Sequence, residues 1–489
     1  MNSELESPRL PNPFDHPNEE CGVVAVYAPG GEASRIAFFG LFALQHRGQE
    51  SAGIAASNGE TINVHAEMGL VTQIFREPDF YPLTGEKAIG HTRYSTMGSS
   101  LLCNAQPLLV DGYQGRLALA NNGNIINSPQ LRDQLQEEWN CSFNSTTDTE
   151  VVAYMLANAP GSGWAERLFY CMRQLEGAYS LVALTKDTVM AARDPLGIRP
   201  LCLGKLDGGW IIASESCALD HLGATYLREV EPGEAIVIDK TGFHSETWTG
   251  RTGRRALCVF ELIYFARPDS ILDGQLVHSV RQELGAQLAR EHPVDADLVI
   301  GIPDSSTAAA VGYARESGIP YSEGLVKNRY VGRTFIEPEQ RMRDLGVRQK
   351  FNPLTEVIRG QRLVVVDDSI VRGTTTPHVV GLLRKAGAKE IHMRVCAPPI
   401  MHPCFMGVDM ANRQELIAAN QSVDEIREFI GADTLGYLGV DGLMKVVGGT
   451  QGGFCDACFT GNYPVPVQLE LTKLVLEDSR PADATPGAN

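Results

Sequence analysis

Apolar positions along the 489-residue chain fall into two textures. Between Gly22 and about Ile238 they form short runs bounded by Gly, Asn, Asp and Pro: Gly22–Tyr27, Ala88–Gly90, Leu117–Ala120, Tyr179–Leu184 and Trp210–Ala213. Such runs predict strands joined by turns. Arg35–Gln45 and Glu150–Ala157 predict helices between them. Many strands with few helices indicate a layered α+β domain. The polar stretch Thr241–Arg255 reads as a connection. Beyond it, the Val/Ile/Leu-rich runs Ala296–Ile302 and Arg362–Val366 alternate with the helical segments Ser279–Glu291 and Thr376–Ala386. Continuous apolar strands separated by helices predict a parallel sheet covered on both faces. The expected division is a leader over 1–20, one domain over 21–250, a second over 251–465, and an extension over 466–489 with a disordered polar end. No fixed-period repeat is visible.

Length alone calls for more than one core. The apolar share of 43% and charged share of 21% are those of a soluble folded protein. The formal charge of -17 disfavours general nucleic-acid binding, which rests on neutralising phosphates. It leaves room for a local basic site holding one small anion. No apolar run is long enough for a bilayer, and Met1–Glu20 lacks the apolar core of a secretory signal. A cytoplasmic protein is expected. Eleven scattered cysteines, an odd number, argue against a disulfide framework.

The most specific chemistry lies in Val364-Val365-Val366-Asp367-Asp368-Ser369-Ile370-Val371-Arg372-Gly373-Thr374-Thr375-Thr376. A buried strand ends in two acids, then a small, hydroxyl-rich turn enters a helix. Backbone N–H groups of such a turn can cradle a phosphate, with Thr374, Thr375 and Thr376 adding hydroxyls. Asp367 and Asp368 sit where ribose hydroxyls, or a Mg²⁺ on them, would lie. A second apolar strand ends in Gly301-Ile302-Pro303-Asp304-Ser305-Ser306, and between the two lies the basic stretch Lys327–Lys350. Read blandly, the acids cap a helix and the basic stretch is a solvated surface. The ordered segment resembles the signature of type I phosphoribosyltransferases, over about Ala256–Pro464. The resemblance implies a site for phosphoribosyl pyrophosphate built from Asp367, Asp368, Ser369, Arg372, Gly373, Thr374, Thr375, Thr376, Lys327 and Lys350. It also implies Mg²⁺ near Asp367, Asp368 and Ser305, and closure of the basic loop over substrate.

In the first half, Cys21 stands at the junction of leader and first strand. If the bond before it is cut, thiol and α-amine share one residue, and the amine can act as base for the thiol. By itself Cys21 reads rather as a small buried hydrophobe, the commoner fate of a cysteine before an apolar strand. Gln45-His46-Arg47-Gly48-Gln49-Glu50-Ser51-Ala52-Gly53, Gly90-His91-Thr92-Arg93-Tyr94-Ser95-Thr96, Asn121-Asn122-Gly123-Asn124 and Asp148-Thr149-Glu150 could each be turn or cap chemistry. Together they resemble the glutaminase domain of N-terminal-nucleophile amidotransferases, over about Cys21–Asp239. The resemblance implies Cys21 as nucleophile, Asn122 and the Gly123 N–H as oxyanion hole, and Arg93, Thr96 and Asp148 as glutamine ligands. Many relatives carry His where Asn121 stands.

Cys455-Asp456-Ala457-Cys458 could be a redox pair, half a zinc site or two unrelated thiols. With Cys258 and Cys404 it makes four thiols, suited to zinc or an iron–sulfur cluster. Both halves together resemble the glutamine phosphoribosylpyrophosphate amidotransferase family between Cys21 and Pro464, and its iron–sulfur, propeptide-containing subgroup in particular. That resemblance implies an αββα glutaminase domain followed by an α/β phosphoribosyltransferase domain. It implies a [4Fe-4S] cluster on Cys258, Cys404, Cys455 and Cys458, with Cys396 the competitor for the place of Cys404. It further implies ammonia passing between two sites, purine nucleotide inhibitors and a homotetramer.

Overall fold

The computed structural model describes residues 21–94, 98–248, 250, 255–328, 351–410, 413–448, 453–467 and 476. The leader, Thr96, the basic stretch from 329 to Lys350 and nearly all of the C-terminal extension lie outside the described residues.

The first half stacks two antiparallel sheets. One has seven strands, in the order Thr225–Glu229, Cys202–Leu206, Gly209–Ala213, Gly22–Tyr27, Lys87–Arg93, Ser51–Ser57 and Ile62–Met68. The other has six: Gly242–Thr247, Glu234–Asp239, Val189–Arg193, Gly177–Leu184, Gly115–Ile125 and Leu108–Gly112. Val23, Ala25 and Ile89 from one sheet meet Ala118, Ala120 and Val182 from the other in a core between the sheets. Helix Ala33–Ala43 covers the outer face of the first sheet. Helices Ser128–Trp139, Asp148–Asn158 and Trp164–Gln174 cover that of the second. The alternation of inward and outward residues along each strand requires this αββα sandwich, because both faces of both sheets carry apolar side chains. The expected connection at 241–255 is corrected in part. Gly242–Thr247 is a strand paired with Glu234–Asp239, and its mostly exposed residues are those of a sheet edge.

The second half holds a four-stranded parallel sheet, in the order Leu298–Gly301, Arg362–Asp367, Glu390–Val395 and Thr434–Tyr437. Helices Val277–Glu291 and Thr307–Ser317 pack on one face. Helices Thr376–Lys385 and Val423–Ile430 pack on the other. Ile126, Ala178 and Ile198 of the first half join the same apolar cluster as Val259, Leu262 and Phe405 of the second. The halves therefore share buried surface.

Helices Val277–Glu291 and Thr307–Ser317 touch through their backbones. A Cβ on Gly312 would stand 1.8 Å from the Gln282 carbonyl oxygen, and one on Gly285 1.8 Å from that of Ala309. This contact holds the second helix, which begins just after Ser305 and Ser306, against the sheet. Gly312→Ala is expected to cost about 1–3 kcal/mol through overpacking, read as a lower urea midpoint with unchanged slope.

Candidate functional site

Cys21 is buried at the start of strand Gly22–Tyr27. Its Sγ–H donates to the Tyr94 carbonyl at 3.2 Å. Tyr94 follows strand Lys87–Arg93, which pairs with the Cys21 strand in the register Gly22 to Thr92. Burial pushes the Cys21 thiol up to about 11. The Tyr94 contact and Arg93 oppose the rise, while Glu50 and Asp148 add to it. These four side chains thus act on one another within a single enclosure. Arg93 is buried, with Nη1 3.6 Å from Glu50 Oε2 and donating to the Ser99 carbonyl at 3.4 Å. Asp148 opens helix Asp148–Asn158 without capping it. Its Oδ2 accepts instead from the Ile125 N–H at 2.8 Å. Burial raises the Asp148 carboxyl to about 6, against the pull of the Ile125 and Thr149 hydrogen bonds and Arg93.

Asn121-Asn122-Gly123-Asn124 lies inside strand Gly115–Ile125, not after it. The Asn122 side chain is buried, and its Nδ2 has no hydrogen-bond partner among the described residues. Gly123 has φ +146°, and a Cβ there would come 2.0 Å from the Ala178 carbonyl oxygen, so only glycine fits. Burial lowers the His91 imidazole to about 3. Neutral at working pH, it can donate Nε2–H to the Asn121 carbonyl at 3.1 Å, tying the two sheets together. Gln106, which the sequence did not signal, ties the same strand to helix Asp148–Asn158. Its Oε1 accepts from the Asn121 N–H at 2.9 Å and its Nε2 donates to Thr149 Oγ1 at 3.0 Å.

The second cluster forms where the parallel strands end. Asp367 Oδ1 accepts from Ser306 Oγ at 3.2 Å and from the Asp368 N–H at 2.9 Å. Asp368 Oδ1 accepts from Ser369 Oγ at 2.7 Å. Both acids are buried. Ser305 is half-buried on the neighbouring turn, where Lys327 Nζ pairs with Asp304 Oδ2 at 3.1 Å. Gly373 takes φ +70° at the tight turn before helix Thr376–Lys385, and the buried Thr374 Oγ1 has no hydrogen-bond partner among the described residues. Arg372 Nε donates to Glu415 Oε2 at 2.8 Å. An unsatisfied hydroxyl beside a helix start suits an anion.

Cys258 and Cys455 face each other in register across the short parallel pair Leu257–Cys258 and Phe454–Cys455. Burial raises the Cys458 thiol well above its ordinary value, and the neighbouring Cys258, Cys455 and Cys404 add to the rise. Cys258, Cys404 and Cys455 thus lie within electrostatic reach of Cys458. Cys396 does not join them. Its N–H donates to the Asp367 carbonyl at 2.9 Å, and its thiol, raised by burial, also feels Asp368 and Asp367. Cys258, Cys404, Cys455 and Cys458 are free of disulfides. Among the described residues, no three His, Cys, Asp or Glu side chains are grouped to hold a single metal ion.

A family model described as a glutamine amidotransferase domain matches residues 91–221, and one described as a phosphoribosyl transferase domain matches 269–399. An amidophosphoribosyltransferase of Synechococcus elongatus is 49% identical over 471 residues, 95% of each chain. One from Archaeoglobus fulgidus is 50% identical over 455 residues, 92% of this chain and 99% of the relative. The solved glutamine phosphoribosylpyrophosphate amidotransferase of B. subtilis, in complex with ADP and GMP, superposes with a TM-score of 0.86 at 46% identity, covering 92% of this chain and 99% of that one. Two domains with the expected clusters, in the expected order and over almost the full length of these relatives, make this chain a member of the amidophosphoribosyltransferase family.

Proposed function

We propose that the chain converts glutamine, phosphoribosyl pyrophosphate and water into 5-phosphoribosylamine, glutamate and pyrophosphate, the entry step of purine synthesis. The observation that carries this reading is the pairing in one chain of the Cys21–Arg93–Asp148 enclosure with the Asp367–Thr374 cradle. Cys21 attacks the glutamine amide carbon. Burial alone disfavours its thiolate, so a base must sit at the sulfur, and the α-amine freed by cleavage before Cys21 meets that need. Asn122 Nδ2, unpaired, and the Gly123 N–H stabilise the tetrahedral oxyanion. Arg93 and Thr96 hold the substrate carboxylate end, and Asp148, ionised above about pH 6, holds its ammonium. In the second domain Asp367 and Asp368 hold the ribose hydroxyls. The turn Ser369–Thr376 takes the 5-phosphate, with Arg372, Lys327 and Lys350 adding positive charge around the substrate. Mg²⁺ commonly takes only one or two protein carboxylates and completes its shell with phosphates and water. Asp367 and Asp368, with Ser305 nearby, fit that pattern.

Pyrophosphate release driven by glutamine, and separately by an ammonium salt, tests the division of labour. Cys21→Ala is expected to abolish the first and to keep the second within about twofold. A parallel loss of both would refute the assignment. The ADP and GMP held by the B. subtilis relative support purine nucleotides as inhibitors here, read as a lower wild-type rate in the same assay.

Ammonia set free in neutral water would be protonated and lost, so it passes to the second site inside the closed enzyme. An external ammonia scavenger is expected to leave coupled product formation intact. Capture of all the ammonia, with product formation stopped, would show that it escapes to bulk.

Four neighbouring thiols, none in a disulfide, are a donor set whose chemistry fits an iron–sulfur cluster. Cys258, Cys404, Cys455 and Cys458 would hold it, and it would supply structural cross-linking, since the transfer chemistry needs no electron. The native mass of anaerobically purified protein should show a chain beginning at Cys21, the added mass of a [4Fe-4S] cluster, and four subunits. A chain that retains its leader, or carries zinc instead, contradicts the respective part.

A further inference from the structure

Arg47 ends the turn after helix Ala33–Ala43, and its guanidinium is fully buried. Its Nε–H donates to the Cys21 carbonyl at 2.9 Å. Its Nη1 donates to Glu215 Oε1 at 2.6 Å and to Glu261 Oε2 at 3.0 Å, and its Nη2 to Glu261 Oε1 at 2.8 Å. On the other side of Glu261 stands Arg199, with Nη1 3.6 Å from Oε1. Arg199 turns its Nε and Nη2 to one acceptor, the Met406 carbonyl, at 2.9 and 2.5 Å. The next residue, Gly407, lies directly on Gly123. A Cβ added to it would stand 3.0 Å from the Gly123 carbonyl carbon and 3.1 Å from its Cα. Asn124 Nδ2 donates to the Phe405 carbonyl at 2.9 Å, fixing the same loop to the same strand.

Arg47, Arg199 and Gly123 belong to the first domain, while Glu261 and Phe405–Gly407 belong to the second. Glu261 opens a π turn, Glu261–Phe265. Arg281 clamps that turn, donating to the Leu262 carbonyl at 2.9 Å and the Ala266 carbonyl at 2.8 Å. Such wide turns recur at functional sites because they re-aim a side chain. Here the re-aimed side chain is a carboxylate with no exposed surface.

We propose that Glu261 is a positioning residue for glutamine hydrolysis. Through Arg47 it fixes the backbone of the nucleophile, and through Arg199 it fixes the Phe405–Gly407 loop that props the Gly123 strand. The half of the chain that handles the phosphoribosyl group thereby completes the geometry of the half that releases ammonia. This rests on the reading of Cys21, Asn122 and Gly123 given above. Oxyanion donors act through placement, and a misplacement of about 1 Å costs on the order of a hundredfold in rate.

Glu261→Gln keeps the shape and removes the charge that two guanidiniums share. In the full-length protein, kcat for glutamine hydrolysis is expected to fall about tenfold or more, with glutamine KM and ammonia-dependent pyrophosphate release each within about twofold. Asn124→Ala, which deletes only the bond to Phe405, should lower the same kcat by a smaller factor. It decides the question if Glu261→Gln does not fold. An unchanged kcat, a rise in KM alone, or an equal fall in the ammonia reaction overturns the proposal. A wild-type chain without glutamine-dependent activity would sink the functional reading instead.

Discussion

The two domains meet around charges that water cannot reach. Arg47, Arg199, Glu215 and Glu261 have no exposed side-chain surface, and they balance two against two. Taking such groups out of water is costly, and the cost is recovered only while every partner stays in place. Burial opposes ionisation of Glu215, yet His46 and Arg47 outweigh it and hold the carboxyl far below its usual range. An apolar joint would have tolerated sliding. This one fixes the register of the two domains, because displacement of either half strands a buried charge.

Within the first domain the same scarcity of water decides what each group can do. His91 stays neutral and serves as a hydrogen-bond donor, not a base. Asp148 is a weaker acid than usual but still ionised at neutral pH. Cys21 is pushed the other way from reactivity, since its enclosure disfavours the thiolate. A thiol in that state needs a proton acceptor beside it, and the imidazole of His91, buried in the same domain, is turned through its Nε2 to the Asn121 carbonyl. The amine that cleavage before Cys21 would free, proposed above as the base, would meet that need, its ammonium pairing with the thiolate it creates.

The second domain solves a different problem, holding a highly charged anion in an acidic protein. Parallel strands end together, so Asp367, the Ser305 turn and the Cys396 crossing converge at one edge of the sheet. Backbone N–H groups, small hydroxyls and the guanidinium of Arg372 line the tight turn there. The acids beside them are held by Ser306 and Ser369, which leaves their orientation set before a ligand arrives.

Much of this was legible in the sequence. The alternation of short runs, the acid pair at the end of a buried strand and the spacing of the cysteines are local patterns, and local patterns reflect short-range periodicity and turn chemistry. Polarity alone suggests a turn at Asn121–Asn124 and a connection over Gly242–Thr247, whereas sheet pairing makes both of them strand. Cys396 and Cys404 were separable only when strand Glu390–Val395 carried the first to Asp367 and the chain beyond it carried the second to Cys458. Glu261 and Arg199 gave no signal at all. A single charged residue in an apolar run looks like a solvated face until its partner, 214 residues away in the case of Arg47 and Glu261, is brought against it. The sequence by itself determined the two domains and their chemical inventory. The tertiary structure alone decided which charges are buried together, because desolvation depends on neighbours distant along the chain.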